Sequence, residues 1–197
     1  MNRISLDGIS VGKDVSLLAE RLWPSVVRIG GTVPGSGSGV ILSADGLIVT
    51  NAHVATSERL RVELAGRGQF EAELVARDPR RDLALLKMHG WVLQAIAVAD
   101  VNAIRAGDLV VALGFPMGSD AVTAGIVHAA PRDANWLIAD IRVAPGNSGG
   151  PLCDVRGHLL GINTMVVDGQ TLAVSARAIE RFVALSVSGH ARAAAAD

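Results

Sequence analysis

The sequence predicts an all-β protein built from two packed barrels. Apolar segments of 4 to 8 residues, rich in Val, Ile and Leu, recur along the chain and are punctuated by Gly, Asp and Pro. A polar, strand-poor stretch from Ala99 to Ala106 divides them into halves of similar strand count, as a linker between two barrels would. Turn chemistry supports the boundaries, as at Ala44-Asp45-Gly46 and Val167-Asp168-Gly169.

Taken in order, Val15 to Leu22 reads as a short helix, followed by first-half strands over 25–31, 37–43, 46–50, 59–64, 69–77, 83–88 and 95–98. The second half gives 108–114, 122–129, 136–141, 150–153, 158–165 and 170–175. Ile179, Phe182, Val183 and Leu185 are spaced for one buried face of a closing helix, Ala176 to Ser186, and the Ala-rich tail beyond Gly189 is expected to fray. The domain reading is a single unit: N-terminal segment 1–24, first barrel 25–98, linker 99–107, second barrel 108–175, and helix with tail 176–197.

The chain has 197 residues, enough to bury a sizeable core without a metal or disulfide staple. Eighteen Lys and Arg nearly balance 19 Asp and Glu, so no overall field favours nucleic acid or an anionic membrane. The single cysteine, Cys153, excludes an intrachain disulfide framework and reads as a small core residue. The N-terminus lacks both the apolar run of a signal peptide and that of a membrane span, which predicts a cytoplasmic protein. No Cys/His cluster has metal-ligand spacing, and no cofactor is expected.

The strongest local signal is GNSGGPL, Gly146 to Leu152, where a serine sits among glycines that let the backbone turn sharply. Such a turn can aim the amides of Gly146 and Ser148 at the oxyanion formed when Ser148 attacks a carbonyl. Serine needs a base to take its proton. His53, in TNAHVA, follows an apolar strand and is flanked by small residues, a setting that His89, His128, His158 and His190 lack. The imidazole in turn needs a buried carboxylate to fix its tautomer. Asp82 directly precedes the apolar run Leu83 to Leu86, whereas Asp78 lies in a charged turn with Pro79 and Arg80; Asp82 is therefore the expected partner and Asp78 a turn former. The first two groups fall in the first barrel and the nucleophile in the second, which puts the site in the cleft between them.

The strings SGSGVILSADGLIVTNAHVA, RDPRRDLALLKM, VTAGIVHA and APGNSGGPLCDVRGHLLGINT follow the order and spacing of the protease domain of the HtrA family of chymotrypsin-like serine endopeptidases. The chain resembles that family from about Ser16 to Val183. The resemblance implies a double six-stranded barrel, with His53 as general base, Asp82 as its orienting partner, Ser148 as nucleophile, and Gly146, Asn147 and Ser148 forming the oxyanion loop. It implies polypeptide substrates and a homotrimer assembled through the N-terminal segment, with Trp23 a contact. The match includes no PDZ domain, so activation through one is not expected.

There are departures from the family pattern. Before the nucleophile it reads close to DAAINPGNSGG, and here the residues are Asp140-Ile141-Arg142-Val143-Ala144-Pro145; at the pocket wall a pattern like FAIP becomes Leu172-Ala173-Val174-Ser175. In such proteases the residue six before the nucleophile, here Arg142, lies at the base of the specificity pocket. Either Arg142 pairs with a substrate carboxylate, or it turns away and leaves Val143, Leu172, Ala173 and Val174 to line a small apolar slot. The loop from Asn163 to Gln170 is expected to be short.

Two rival readings carry tests. GxSxG at Gly146 to Gly150, with Ser148, Asp168 and His190 in chain order, fits an α/β-hydrolase esterase, but Pro151 onward reads as a hairpin where an elbow needs a helix. A latent or inactive protease fold that captures extended peptides by strand addition is the other. GSGSG, Gly35 to Gly39, has no helix after it and reads as a flexible turn between strands.

Overall fold

The structure, a computed structural model, describes residues 11–30, 36–129 and 135–194. A helix α1 (Val11–Leu22) and a 3₁₀ turn led by Pro24 precede strands β1 (Val26–Ile29), β2 (Gly37–Ile41), β3 (Leu47–Thr50), β4 (Arg59–Leu64), β5 (Gly68–Asp78) and β6 (Leu83–Lys87). These close into one antiparallel barrel in the order β1-β2-β3-β6-β5-β4. Strands β7 (Leu109–Gly114), β8 (Ala121–Ala129), β9 (Trp136–Asp140), β10 (Pro151–Asp154), β11 (Leu159–Val167) and β12 (Gln170–Ser175) close a second in the order β10-β11-β12-β9-β8-β7. The final helix α2 (Ala176–Ala194) continues past Ser186 into the stretch expected to fray, the last three residues of which lie outside the described residues.

Strand alternation explains why so many strands read as continuous apolar runs. In β6, Ala84 and Leu86 point into the first barrel, while Leu83 and Leu85 join a cluster that also takes Val111, Leu113, Cys153 and Ile162 from the second. In β7, Val110 and Ala112 fill the second barrel and Val111 and Leu113 face that same shared cluster. Side chains alternate with period two, so a strand with the barrel interior on one face and the other barrel on its back must be apolar at every position. Strand β4 borders solvent instead, and there Leu60, Val62 and Leu64 are buried while Arg59 and Arg61 are exposed. Each fully buried Leu or Val contributes about 1.5–3 kcal/mol relative to exposure, so register is strongly fixed in both barrels.

The expected strand 95–98 does not form. The segment instead hydrogen-bonds to the two barrels by turns, with Leu93 and Ile96 donating to Ala44 and Ile41 in the first, and Leu159 donating to Ala97 from the second. Its one strand-like feature is a parallel bridge between Val98 and Leu159. Gly37 and Gly39, expected in a flexible turn, lie inside β2, where a Cβ on Gly37 would come within 2.9 Å of the Ser148 carbonyl oxygen; Gly35 lies outside the described residues. The antiparallel pairing and the hairpin after Ser148 overturn the esterase reading, and Asp168 sits in the two-residue β11–β12 turn at φ 49°. Among the described residues no helix is long and apolar enough to cross a membrane.

Cys153 is fully buried in the shared cluster, and burial pushes its thiol far above the ordinary cysteine range, with neighbouring Asp154 adding to the shift. Only the thiolate reacts readily. Iodoacetamide is therefore expected to leave the folded protein unmodified and to alkylate it once in concentrated guanidinium. Mass spectrometry checks this, and native-state labelling would mean that the two barrels separate readily.

Candidate active site

The turn after β3 carries His53, and three contacts shape it. Asn51 caps it with its carbonyl, which accepts the amides of Val54 and Ala55. From β5, Arg77 reaches over to put Nε and Nη2 on the carbonyl of Ala52 at 3.1 and 2.8 Å. Asp82 then takes both remaining donors of His53, the backbone amide on Oδ1 at 3.0 Å and ring Nδ1 on Oδ2 at 2.7 Å. The imidazole is half exposed and the carboxylate 17 % exposed, so the acidic partner is the more buried. Asp82 has φ 54°, a left-handed conformation that is uncommon outside glycine, and its own carbonyl is held by Asn51 Nδ2 at 2.9 Å.

Asp78 does something different. It accepts the amides of Arg80 and Arg81 and the Arg81 guanidinium. Burial pushes its carboxyl up, but these bonds outweigh that and hold it below the usual carboxylate range.

Ser148 lies on the loop between β9 and β10. The loop reverses through Gly146 at φ 106° and Gly149 at φ 81°. The amide of Asn147 donates to Ala144, that of Gly149 to Asn163 and that of Gly150 to Asn147, whereas those of Gly146 and Ser148 donate to no described residue. The Ser148 hydroxyl donates to the carbonyl of Thr164 at 3.3 Å rather than to His53. Thr164 also accepts Asn51 Nδ2 on its hydroxyl at 3.0 Å, which ties the His53 turn to β11.

Beside Ser148 opens a cavity of about 350 Å³ lined by Val143, Ala144, Pro145, Asn163, Thr164, Met165 and Val166. Of the expected pocket residues it includes Val143 alone. Arg142 is exposed to solvent, Leu172 is half-buried, and Ala173 and Val174 pack into the core clusters. Nor is 163–170 a loop, because β11 continues through a register shift between Asn163 and Met165 to Val167 and turns directly into β12.

Sequence reasoning passed over Asn51, Arg77, Ser38 and Thr164. A polar Asn beside His53 between apolar runs was a visible signal; the others act across long separations and leave none. Trp23, expected at a subunit contact, is half-buried against Phe115 with ring centroids 5.4 Å apart.

Residues 37–162 match the family model described as the trypsin-like peptidase domain. The chain is 40% identical over 167 residues to the probable periplasmic serine endoprotease DegP-like of Ectopseudomonas mendocina, covering 80% of this chain and 35% of that protein. It is 40% identical over 151 residues to the periplasmic serine endoprotease DegP of Escherichia coli, covering 70% and 32%. With the rat serine protease HTR4 it shares 37% identity over 194 residues, covering 86% and 40%. The matched stretch thus spans between 32% and 40% of each relative's length.

Proposed function

The chain belongs to the trypsin-like peptidase family, of the HtrA type, and we propose that it hydrolyses internal peptide bonds of polypeptides through Ser148, His53 and Asp82. The observation that supports this reading is the pair of hydrogen bonds from His53 to Asp82, together with a serine loop whose Gly146 and Ser148 amides donate to no described residue. In the reaction Ser148 Oγ leaves the Thr164 carbonyl, gives its proton to Nε2 of His53 and attacks the scissile carbonyl carbon. Asp82 holds Nδ1 protonated and stabilises the imidazolium. The amides of Gly146 and Ser148 receive the oxyanion, with Asn147 between them keeping the loop's turn. Collapse breaks the C–N bond as His53 returns the proton to the leaving amine. Water, deprotonated by the same imidazole, then cleaves the acyl ester.

Substrate lies along β11, whose residues Met165 to Val167 are exposed and pair only with β12, so an extended chain can add there as a strand. The cavity is walled by Val143, Pro145, Met165 and Val166, with no charged side chain among its lining residues, and selects a small aliphatic residue before the cut. A fluorophosphonate probe is expected to label Ser148, and a peptide with Val before the cut to be cleaved at least tenfold faster than its Glu counterpart. Arg142→Ala should keep that preference. A folded chain that the probe leaves unlabelled would favour the peptide-capturing reading, and Glu cleavage lost on Arg142→Ala would put that guanidinium in the pocket. The bacterial relatives are named as periplasmic, so we place this chain in an exported compartment, against the cytoplasmic expectation. Homotrimer assembly stays a proposal from the resemblance, to be measured by light scattering.

A further inference from the structure

Ser38 is fully buried on β2 of the first barrel, yet three of its four polar bonds go to the second. Its hydroxyl donates to the carbonyl of Gly146 at 2.7 Å and accepts the amide of Phe115 at 3.2 Å. Its own amide donates to the carbonyl of Ser148 at 2.7 Å, and only its carbonyl, bonded by the Thr50 hydroxyl at 2.7 Å, stays within its barrel. Glycines make room for this: a Cβ on Gly114 would stand 3.0 Å from Ser38 Oγ, and one on Gly150 3.1 Å from Ser38 Cβ.

We propose that Ser38 is a positioning residue for the reaction set out above, a role that rests on that reading. It clamps the carbonyls of Gly146 and Ser148 and so holds the Gly146–Asn147 and Ser148–Gly149 peptides, the first of which joins the two peptides that carry the Gly146 and Ser148 amides. The physical need comes from Gly146 itself. At φ 106° it has no side chain to limit rotation about its ψ, so the Gly146–Asn147 peptide depends on ties at both ends, the Asn147 amide on the Ala144 carbonyl at 3.0 Å and the Gly146 carbonyl on Ser38. Loss of the carbonyl tie would let that peptide rotate and carry the adjoining Gly146 and Ser148 amides off the point where negative charge develops. The second tie on that carbonyl is the amide of Phe115, at a long 3.4 Å, so the hydroxyl is the stronger hold. Barrel stability alone does not account for a serine here, since a buried hydroxyl must satisfy both of its roles and this one spends both on the other barrel.

Ser38→Ala removes one oxygen. It is expected to lower kcat about 30-fold on a peptide with Val before the cut while KM moves less than about twofold, because the amides matter most when the oxyanion forms. Affinity for a peptide boronic acid of the same sequence, which forms a tetrahedral adduct on Ser148, should fall by a similar factor. Binding of the matched peptide lacking boron should not change. Thr171→Val, which removes a buried hydroxyl bonded to the Ile141 carbonyl at the same 2.7 Å, controls for lost stability and should keep kcat within about twofold. Both are assayed where near-ultraviolet circular dichroism shows them folded, and Ser38→Cys takes the place of the alanine variant if that does not fold. If Ser38→Ala keeps wild-type kcat and boronate affinity, or if Thr171→Val loses as much, Ser38 is merely structural and the protease reading stands. If the wild type itself neither cleaves nor takes the fluorophosphonate, the reading and this inference fall together.

Discussion

Alanine in place of Ser148 is expected to lower the rate of peptide hydrolysis by about 10⁶, alanine at His53 by a similar factor, and alanine at Asp82 by about 10⁴. In the proposed mechanism the three groups act as one unit, so the triple variant should be scarcely slower than Ser148→Ala. The ordering follows from geometry. Without Ser148 there is no nucleophile, and without His53 nothing takes its proton. Without Asp82 the imidazole loses the bond at Nδ1 that selects its tautomer, and the His53 backbone loses its anchor on the same carboxylate. Asp78→Ala is the informative companion. Its carboxylate ties only Arg80 and Arg81, so it should change kcat by less than about threefold and act on stability instead. Because the bonds hold the folded-state value of Asp78 below the unfolded one, its contribution is present above the unfolded value and is lost as pH falls through the folded one. Steady-state kinetics on one fixed peptide compares all four variants. Near-wild-type activity in Asp82→Ala with loss in Asp78→Ala would reverse the assignment of the two carboxylates.

What could be read from the chain alone was what alternation and turn residues encode locally. The twelve strands of the two barrels fall within a few residues of their expected positions, because runs such as Leu83 to Leu86 and Val110 to Leu113 are apolar at every residue and bounded by turn formers. The segment 95–98 defeated that reading for a definite reason. Its Ile96 is as buried as a strand residue, but its hydrogen bonds are divided between two barrels, which no local pattern reports. Two residues expected at the pocket wall are packed for a related reason: Ala173 and Val174 sit one on each face of β12, and both faces are core. Met165 and Val166, which pair with Leu172 and Thr171 across the hairpin, line the cavity instead. Ser38, Asn51 and Thr164 belong to strings that sequence reading did single out, yet their bonds cross from one barrel to the other, so their use appears only once the barrels are packed.

Gly149→Ala is expected to destabilise the protein by about 3 kcal/mol or more and to remove most activity, although it alters none of the three groups invoked in the chemistry. Two costs combine. At φ 81° any side chain is strained, which costs about 1–2 kcal/mol for a residue with a Cβ. The new carbon would also stand far inside contact distance of the Ser38 carbonyl oxygen and the Thr50 hydroxyl, both on the first barrel and both already hydrogen-bonded to each other. Neither is the free end of a flexible side chain, so the loop has to retreat, and Ser148 goes with it. Gly169→Ala separates the two costs. That residue also has φ 81°, in the β11–β12 turn, but a Cβ there meets nothing within 4 Å. It should therefore lose only the conformational part, about 1–2 kcal/mol, and keep its kcat. Thermal or urea unfolding of the two variants beside the wild type measures the difference, with kcat on the same samples. Equal destabilisation of both would mean that backbone conformation accounts for everything and that the approach of Gly149 to Ser38 is looser than described. A larger loss at Gly149, accompanied by lost turnover, would show that the packing of the nucleophile loop against the first barrel holds the site together.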